Sequence, residues 1–255
     1  MHVKKITLRD LKETYCCISE TAPGATWAKS LPESREWLRK NLGKHVEGYH
    51  LLDDSKVVGH IYYAASEKAL IPYELEPGVA CIYCTEMLRD YSQKGYGRMM
   101  FDYMKKDLKK QGFKGIMVPA TDFKEFMHYV LFQKQGFKVI KEHAPFKIMY
   151  FPLTKESINV KPISLDYKPS KDKVEVTLFN NFFCPVGAHM YHSVKKVAQG
   201  FGDKVKIVEI EATLETVRKY GTTDPLINGK IKMFGPASEA EVKKAVQEEL
   251  DQFKH

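Results

Sequence analysis

Short apolar runs separated by polar turns dominate the first half of the chain, a pattern typical of β-strands. The runs 49–52 and 56–64 flank the polar triplet 53–55, and this order predicts a β-hairpin. A third apolar run, 79–88, follows the turn-forming residues 76–78 and predicts a further strand. The first half is therefore expected to contain a sheet of several strands.

Two later stretches of the first half carry the 3.6-residue period of an amphipathic helix. The first covers residues 97–111, and Gly112 is expected to end it. The second covers residues 123–134 and lies between short apolar runs at 115–118 and 138–140. Strands and helices are therefore expected to alternate through this region. The apolar face of the first helix consists of Met100, Phe101, Met104 and Leu108.

The second half predicts a smaller unit with the order strand, helix, strand, helix, hairpin, helix. Asn228-Gly229 is a favoured two-residue hairpin turn, and Ser238 with Glu241 forms a capping box that opens the last helix. The predicted elements cover residues 174–179, 188–199, 205–210, 214–220, 225–234 and 238 onward.

A polar stretch with prolines at positions 152, 162 and 169 separates the two halves. Because proline interrupts helices and a polar composition resists burial, we expect a linker here. The predicted organisation is a domain over residues 1–153, a linker over 154–172 and a domain over 173–255. The expected fold class is α/β (α+β), with a mixed sheet and flanking helices in the first domain and the order βαβαββα in the second.

The composition indicates a folded protein. Of 255 residues, 44% are hydrophobic and 28% charged, which excludes a disordered polymer. The net charge is +8, of which residues 1–153 carry +6 and the remainder +2. The lysines of helix 97–111 are interpreted as its solvated face, so we expect no nucleic-acid partner. Those lysines are Lys105, Lys106, Lys109 and Lys110.

Five cysteines, an odd number, favour a reducing compartment over a disulfide framework. Charges interrupt the apolar positions of residues 1–10, and no run approaches the roughly 18 apolar residues of a membrane helix. We therefore expect a cytoplasmic protein without a membrane partner. Cys81 and Cys84, three residues apart on a strand, are expected to face opposite sides of it, and Cys16 and Cys17 to be structural.

The segment 93–98 joins a predicted strand to the helix at 97–111 and contains Gly95 and Gly97. Glycine allows the close approach of a ligand, and the free N–H groups at a helix start favour an anion such as a pyrophosphate. Basic residues at positions 94 and 98 add positive charge there. The segment lacks the three-glycine dinucleotide fingerprint and the Gly-Lys-Ser/Thr of phosphate loops, which disfavours nicotinamide and nucleoside-triphosphate sites.

This succession of elements resembles the GNAT superfamily of acetyl-CoA-dependent N-acetyltransferases over about residues 1–153. The resemblance rests on the segments 91–97 (Tyr-Ser-Gln-Lys-Gly-Tyr-Gly) and 131–137 (Leu-Phe-Gln-Lys-Gln-Gly-Phe). It implies acetyl-CoA and an amine acceptor as partners, with no metal. It also implies that the strand through Met87 and Leu88 splays from its neighbour and pairs with the pantetheine arm. The amides implied to hold the pyrophosphate are those of Gln93, Lys94, Gly95, Tyr96, Gly97 and Arg98.

Two residues depart from the family pattern. The usual Arg or Gln at the first position of the loop motif is Ser92, which weakens a secondary contact. The tyrosine that often protonates the leaving thiolate falls at Phe132, which is expected to contact the coenzyme but has no proton to give. Tyr129, one helical turn earlier, is the candidate substitute.

Acetyl transfer to an amine also needs a group that accepts the proton of the amine. Glu86, on the strand that enters the loop, is the first candidate base, acting through water, and His128 is the second. Backbone N–H groups near Met87 and Leu88 are expected to polarise the thioester carbonyl. The acceptor pocket is expected to involve residues 16–38, including Trp27 and Trp37, although both tryptophans fit a core equally well.

The second domain, about residues 173–255, resembles the thioredoxin-like fold, with Cys184 between the first strand and the first helix. Pro225 stands where that family carries a cis-proline, and Gly187 replaces the usual second cysteine, so no local dithiol cycle is expected. The helix start is expected to lower the pKa of the Cys184 thiol. The combination of the two domains resembles the YoaP-like group of bacterial and archaeal proteins.

Three readings of Cys184 stay open: a one-cysteine redox or thiol-binding site, a structural remnant in a binding module, and a metal site with His189 or His192. For the whole protein, the first hypothesis is an N-acetyltransferase that acts on an amine of a small molecule or protein by direct attack on the thioester. The alternatives are an acyl-CoA-binding regulatory protein with weak catalysis, and a thiol protein that uses Cys184 for redox chemistry.

Overall fold

The computed structural model describes residues 1–21, 26–124, 126–233 and 235–253, with the backbone alone at residues 19–21. The chain divides into two compact units. The second unit includes two short segments from the first half of the chain. The predicted division at residues 153 and 173 assigns these segments to the first domain instead. The first unit comprises Met1–Pro23, Leu38–Ala69 and Glu74–Pro162, and the second comprises Gly24–Trp37, Leu70–Tyr73 and Ile163–His255.

The first unit is built on a seven-stranded mixed sheet with the order β1-β2-β3-β5-β6-β8-β7. Every neighbouring pair is antiparallel except β5 and β6. A separate two-stranded sheet joins β4 to β9. The strands are β1 (His2–Lys5), β2 (Glu47–Asp53), β3 (Lys56–Ala65), β4 (Tyr73–Leu75), β5 (Val79–Met87), β6 (Gly115–Thr121), β7 (Lys138–His143), β8 (Phe146–Pro152) and β9 (Val160–Pro162).

The mixed sheet with its flanking helices confirms the predicted fold class. The hairpin of β2 and β3 forms as expected, and Asp54 adopts the positive φ of 49° that its turn requires. α3 buries the four predicted apolar residues against the sheet, and Gly112 (φ 85°) follows its end. The helices are α1 (Cys16–Thr21), α2 (Leu31–Asn41), α3 (Tyr96–Lys110) and α4 (Tyr129–Lys134), with 3₁₀ turns at Leu8–Glu13, Thr26–Ser30 and Arg89–Tyr91.

The helix predicted over residues 123–134 is wrong in its first half, because α4 begins only at Tyr129. The hydroxyl of Thr121, at the end of β6, donates to the carbonyl of Phe126 and accepts from the amide of Phe123. Met127 then takes a positive φ of 48°. The described residues between Thr121 and α4 are therefore held by hydrogen bonds to one threonine instead of by a helix, although their composition suits a helix.

The second unit has a three-stranded sheet with the order β11-β10-β12. The central strand β10 (Val174–Phe179) runs parallel to β11 (Val205–Ile210) and antiparallel to β12 (Leu226–Ile227). Three helices, α5 (Pro185–Gln199), α6 (Leu214–Tyr220) and α7 (Glu239–Phe253), complete the predicted order. The core contains Val174, Val176, Leu178, Val194, Val242 and Val246.

Local signals of the second unit are confirmed where a side chain or turn decides the structure. Asn228 and Gly229 both have positive φ, as the predicted turn requires, although the described part of the second arm makes a single bridge, at Lys230. The side chains of Ser238 and Glu241 form the capping box of α7. Pro225 does not follow a cis peptide bond, so that expectation is wrong. None of the helices in the described parts of the chain is long and apolar enough to span a membrane.

Two histidines, His50 and His60, lie opposite each other on β2 and β3 and are completely buried. The ring nitrogens of His50 have no hydrogen-bond partner among the described residues. Burial lowers the pKa of His50 to about 4 and that of His60 to about 3. Both rings are therefore neutral in the folded protein, whereas the unfolded chain protonates them near pH 6.5. The stability that they contribute is present above this pH and is lost as the pH falls towards 4.

We expect the first unit to lose stability between about pH 6.5 and pH 4, and His50→Leu to remove part of this loss, on the order of 3 kcal/mol. Hydrogen exchange of the β2 and β3 amides measures the effect in this unit directly. Tryptophan fluorescence does not, because Trp27 and Trp37 both belong to the second unit. The exposed His2→Leu variant is the control, and an unchanged pH dependence in His50→Leu would contradict the assignment.

Candidate active site

β5 and β6 lie side by side for only three residue pairs, from Val79–Gly115 to Cys81–Met117. Beyond these pairs, β5 keeps its pairing with β3 and β6 keeps its pairing with β8. The two strands therefore separate and leave an opening between their facing edges, here called the β5–β6 opening. The splay that the resemblance implied for this strand is present.

A β-bulge at Tyr83 shifts the register between β3 and β5. Cys81 and Cys84 consequently lie opposite Ala64 and Tyr62, two residues of β3 that share one face of the sheet. The expectation that these cysteines face opposite sides is therefore wrong, because the bulge inserts one residue between them. No turn residue marks the bulge in the sequence. Neither cysteine forms a disulfide.

The backbone N–H groups of β5 point alternately toward β3 and into the opening. The Thr85 amide donates to the sulfur of Met127 (3.3 Å), so it points into the opening, and the Met87 amide shares that direction. The Met87 amide also contacts the Glu86 carboxylate at 3.1 Å. The Leu88 amide donates to the carbonyl of Val58 at 2.9 Å. Of the two amides expected to polarise a carbonyl, only that of Met87 is directed to the opening.

The candidate base Glu86 is an exposed residue near the end of β5. It lies opposite His60 in the pairing of β5 with β3, so its side chain shares a face of the sheet with His60, Tyr62 and Cys84. A carboxylate at this place borders the β5–β6 opening and is accessible to solvent.

His128 and Tyr129 lie on the other side of the β5–β6 opening. His128 makes an isolated parallel bridge with Thr121 at the end of β6, and Tyr129 begins α4. Their rings are 4.8 Å apart, and the ammonium of Lys147 lies 5.2 Å from the Tyr129 ring centre. The loop that carries them contacts β5 through the sulfur of Met127, which accepts from the Thr85 amide. The sequence did not single out Met127.

Phe132 has no exposed surface. Its ring packs edge-on against Phe101 and Phe137, with centre-to-centre distances of 6.0 and 5.7 Å. The expected contact with the coenzyme is therefore not met, because this position belongs to the hydrophobic core. The apolar neighbourhood explains why a side chain without a hydroxyl stands here.

The loop before α3 presents backbone donors to solvent. α3 begins at Tyr96 with Gly95 (φ 85°) as its N-cap, and Gln93 also has positive φ. Within the described chain, no acceptor is found for the amides of Tyr96, Gly97 and Arg98. A methyl group placed on Gly95 or Gly97 would meet nothing within 4 Å. The backbone is therefore unobstructed where a phosphate group would approach it, and the residues fit that ligand.

Tyr91 connects this loop to the β2–β3 turn. Its hydroxyl donates to the Asp53 carboxylate at 2.8 Å, and this hydrogen bond raises the pKa of the phenol. The ammonium groups of Lys56 and Lys94 lie 5.6 and 6.0 Å from the centre of its ring. Positive charge is thus held beside the start of α3.

The sequence profile of the acetyltransferase (GNAT) family matches residues 11–137. The chain contains a GNAT acetyltransferase domain. This domain makes the protein an enzyme of the N-acetyltransferase family and confirms the first resemblance noted from the sequence. The thioredoxin-like and YoaP-like assignments of the second unit stay predictions.

Solved acetyltransferase structures resemble the chain at low identity. The PaiA N-acetyltransferase of Thermoplasma acidophilum, in complex with coenzyme A, is 17% identical over 60% of this chain and 99% of its own, with a TM-score of 0.45. The ribosomal-protein-S18-alanine N-acetyltransferase of Escherichia coli is 16% identical over 61% and 96%, with a TM-score of 0.43. A GNAT acetyltransferase of Brucella melitensis, in complex with acetyl-CoA, is 20% identical over 62% and 93%, with a TM-score of 0.41. No curated protein matches the chain.

Cys184, in the second unit, is the N-cap of α5. Burial raises the pKa of its thiol, and hydrogen bonds from the amides of Gly187 and Val186 lower it by a smaller amount. The expected lowering is therefore wrong, because burial outweighs the helix start. At neutral pH Cys184 is a thiol and a weak nucleophile.

The other residues singled out near Cys184 make ordinary contacts within the second unit. His189 contacts the hydroxyl of Thr26 at 3.3 Å, and His192 contacts the carboxylate of Glu33 at 2.8 Å. Trp37 packs edge-on against the ring of Phe183. In the described parts of the chain, no group of three His, Cys, Asp or Glu residues is arranged to hold a metal ion. Part of the acceptor segment predicted over 16–38 lies outside the described residues.

A cysteine at position 187 would restore a dithiol. The Cβ of a side chain at Gly187 would lie 4.0 Å from the Cβ of Cys184, inside the range of about 3.5–4.5 Å found in disulfides. We expect Gly187→Cys to form a disulfide with Cys184 under mild oxidation, measured as the loss of two free thiols. Val186→Cys, one residue away, should keep both thiols free. Two unreacted thiols in oxidised Gly187→Cys would contradict this geometry.

Proposed function

We propose that the GNAT domain binds acetyl-CoA and transfers its acetyl group to an amine of a small molecule or a protein. The observation that carries the proposal is the β5–β6 opening, together with the unobstructed backbone before α3. A thioester in the opening and a pyrophosphate at the helix start match the two chemical ends of the coenzyme.

The pyrophosphate is bound by the free amides at the start of α3, with Gln93, Lys94 and Arg98 in support. Bare backbone at Gly95 and Gly97 allows close approach, and the helix dipole favours the negative charge. The pantetheine arm extends along β5 and hydrogen-bonds to its free edge, as an added strand does. Lys94 and Arg98, two of the basic residues behind the positive charge of the first unit, thus act at the pyrophosphate.

In the transfer step, the amine nitrogen attacks the thioester carbonyl directly and the carbon–sulfur bond breaks. The Met87 amide donates to the carbonyl oxygen as negative charge develops there. Glu86 accepts the proton of the amine through a water molecule, and His128 is the second candidate for this role. The leaving sulfur takes its proton from Tyr129, because Phe132 has none to give.

The second candidate function is acyl-CoA binding with weak catalysis, in a regulatory protein. The burial of Phe132 favours it, because the position that often holds the acid of the family is filled by a core residue. Coenzyme binding without turnover over a broad panel of amines would distinguish this function from transfer. A redox role for Cys184 is the third candidate and is weakened by its raised pKa.

For the second unit we propose a thioredoxin-like domain of the YoaP-like kind that contributes to the choice of acceptor. Its support is the order β10-α5-β11-α6-β12-α7 and the place of Cys184 before α5. Cys184 then serves as a structural or ligand-contacting thiol, because Gly187 leaves it without a partner for dithiol chemistry.

The proposed coenzyme site predicts a specific effect of Gly97→Asp. A carboxylate in the first turn favours the helix, whereas it repels a pyrophosphate at the same place. We expect the variant to fold with unchanged or slightly higher stability and to lose at least about tenfold in acetyl-CoA affinity, measured by calorimetry. Gln252→Glu, an exposed change of equal charge on α7, is the control. Normal affinity in Gly97→Asp would count against the site.

The proposed base predicts a loss of rate in Glu86→Gln with little change in coenzyme affinity. Because general-base catalysis contributes about 10²–10⁴-fold, kcat for amine acetylation should fall by about that factor. The fall should lessen at high pH, where more of the amine is already neutral. Glu74→Gln, an exposed carboxylate on β4, is the matched control. A normal rate in Glu86→Gln would contradict Glu86 as the base and leave His128 as the candidate.

A further inference from the structure

The imidazole of His60 lies between two thiols in the GNAT domain. The sulfur of Cys16, on α1, is 3.1 Å from Nδ1 of His60, and the sulfur of Cys84, on β5, is 3.6 Å from Nε2. Cys16 and His60 are buried, whereas Cys84 is half-buried. Within this Cys16–His60–Cys84 cluster, Cys84 is therefore the residue with partial exposure, and Cys16 and His60 are shielded from water.

The ring of His60 can present a donor to the sulfur of Cys84. His60 is neutral, so one ring nitrogen donates and the other accepts. When Cys16 donates its S–H proton to Nδ1, the ring proton resides on Nε2 and points at the sulfur of Cys84. A donor directed at that sulfur stabilises the negative charge that develops on it as its proton leaves during the attack. Cys16 and His60 are in this sense positioning residues for Cys84.

Cys84 also borders the β5–β6 opening. It immediately precedes Thr85, whose amide points into the opening, and it shares a face of the sheet with Glu86. The proposed base and this thiol thus lie one residue on either side of an amide that faces the thioester path. Cys17, the neighbour of Cys16 on α1, is a half-buried cysteine of the same unit and provides a comparison.

We propose that Cys84 is a self-acylation site, which takes the acetyl group of bound acetyl-CoA when no amine is present. The inference rests on the proposed function. The sulfur of Cys84 attacks the thioester carbonyl, the bond between that carbon and the coenzyme sulfur breaks, and the thiol proton of Cys84 ends on the coenzyme sulfur. One thioester replaces another, so the step needs no oxidant or further reactant and is reversible by free coenzyme A.

The test uses the full chain incubated with acetyl-CoA, quenched in acid and mapped by peptide mass. We expect one acetyl group on the peptide that contains Cys84, removable by hydroxylamine at neutral pH as a thioester is. The label should be absent from Cys84→Ser, present in Cys17→Ser, and lost when excess coenzyme A is added before the quench. Cys17 is matched to Cys84 as a half-buried cysteine of the same unit.

The role of His60 has its own readout. Because a hydrogen bond to a charged group is among the stronger ones, His60→Leu should label at least about tenfold more slowly, with its pH profile displaced to higher pH. His60→Gln keeps an amide donor and should recover part of the rate. If a His60 variant fails to fold, the pair Cys16→Ala and Cys16→Ser asks the same question, since serine keeps a donor for Nδ1.

The outcomes separate the two proposals. Binding of acetyl-CoA in calorimetry, with no acetyl group on Cys84, overturns self-acylation and leaves the proposed function intact. Equal labelling of wild type and Cys84→Ser also overturns it. Absence of acetyl-CoA binding overturns the proposed function and, with it, the self-acylation that depends on it.

Discussion

The GNAT domain depends on the place where two parallel strands stop pairing. Every backbone donor and acceptor of a strand needs a partner, so a strand that leaves its neighbour exposes an edge. β5 leaves β6 after three residue pairs and keeps its other edge on β3. The opening and the amides that point into it follow from this separation, and the continued pairing with β3 places Glu86 and Cys84 on one face of the sheet. A sheet paired over its full length would have no room for a ligand between these strands.

Local chemistry made part of this architecture predictable. The β2–β3 hairpin, the extent of α3 and the glycine loop before it follow from turn residues, periodicity and glycine positions that lie close together in the sequence. The capping box of α7 is of the same kind. In each case the deciding interaction joins residues only a few positions apart, so the sequence contains the whole cause.

The remaining features depend on interactions between distant residues. The bulge at Tyr83 reflects the register of two strands, and no residue type near it requires one. The shortened α4 is an exception, because the hydroxyl of Thr121, at the end of β6, binds backbone groups only two and five residues later. The pKa of the Cys184 thiol could not be predicted from its helix start, because burial by the rest of the unit has the larger effect. The cluster around His60 likewise joins α1, β3 and β5, which are far apart in the sequence.

The sulfur of Met127 has a consequence for how a ligand enters. A thioether is a weak acceptor, yet it satisfies the Thr85 amide in the free protein at 3.3 Å. A carbonyl of an arriving ligand is a stronger acceptor for the same donor. In the free protein this amide is therefore already buried and oriented. Met127 thus occupies, from within the core, the donor that the proposed pantetheine arm would use.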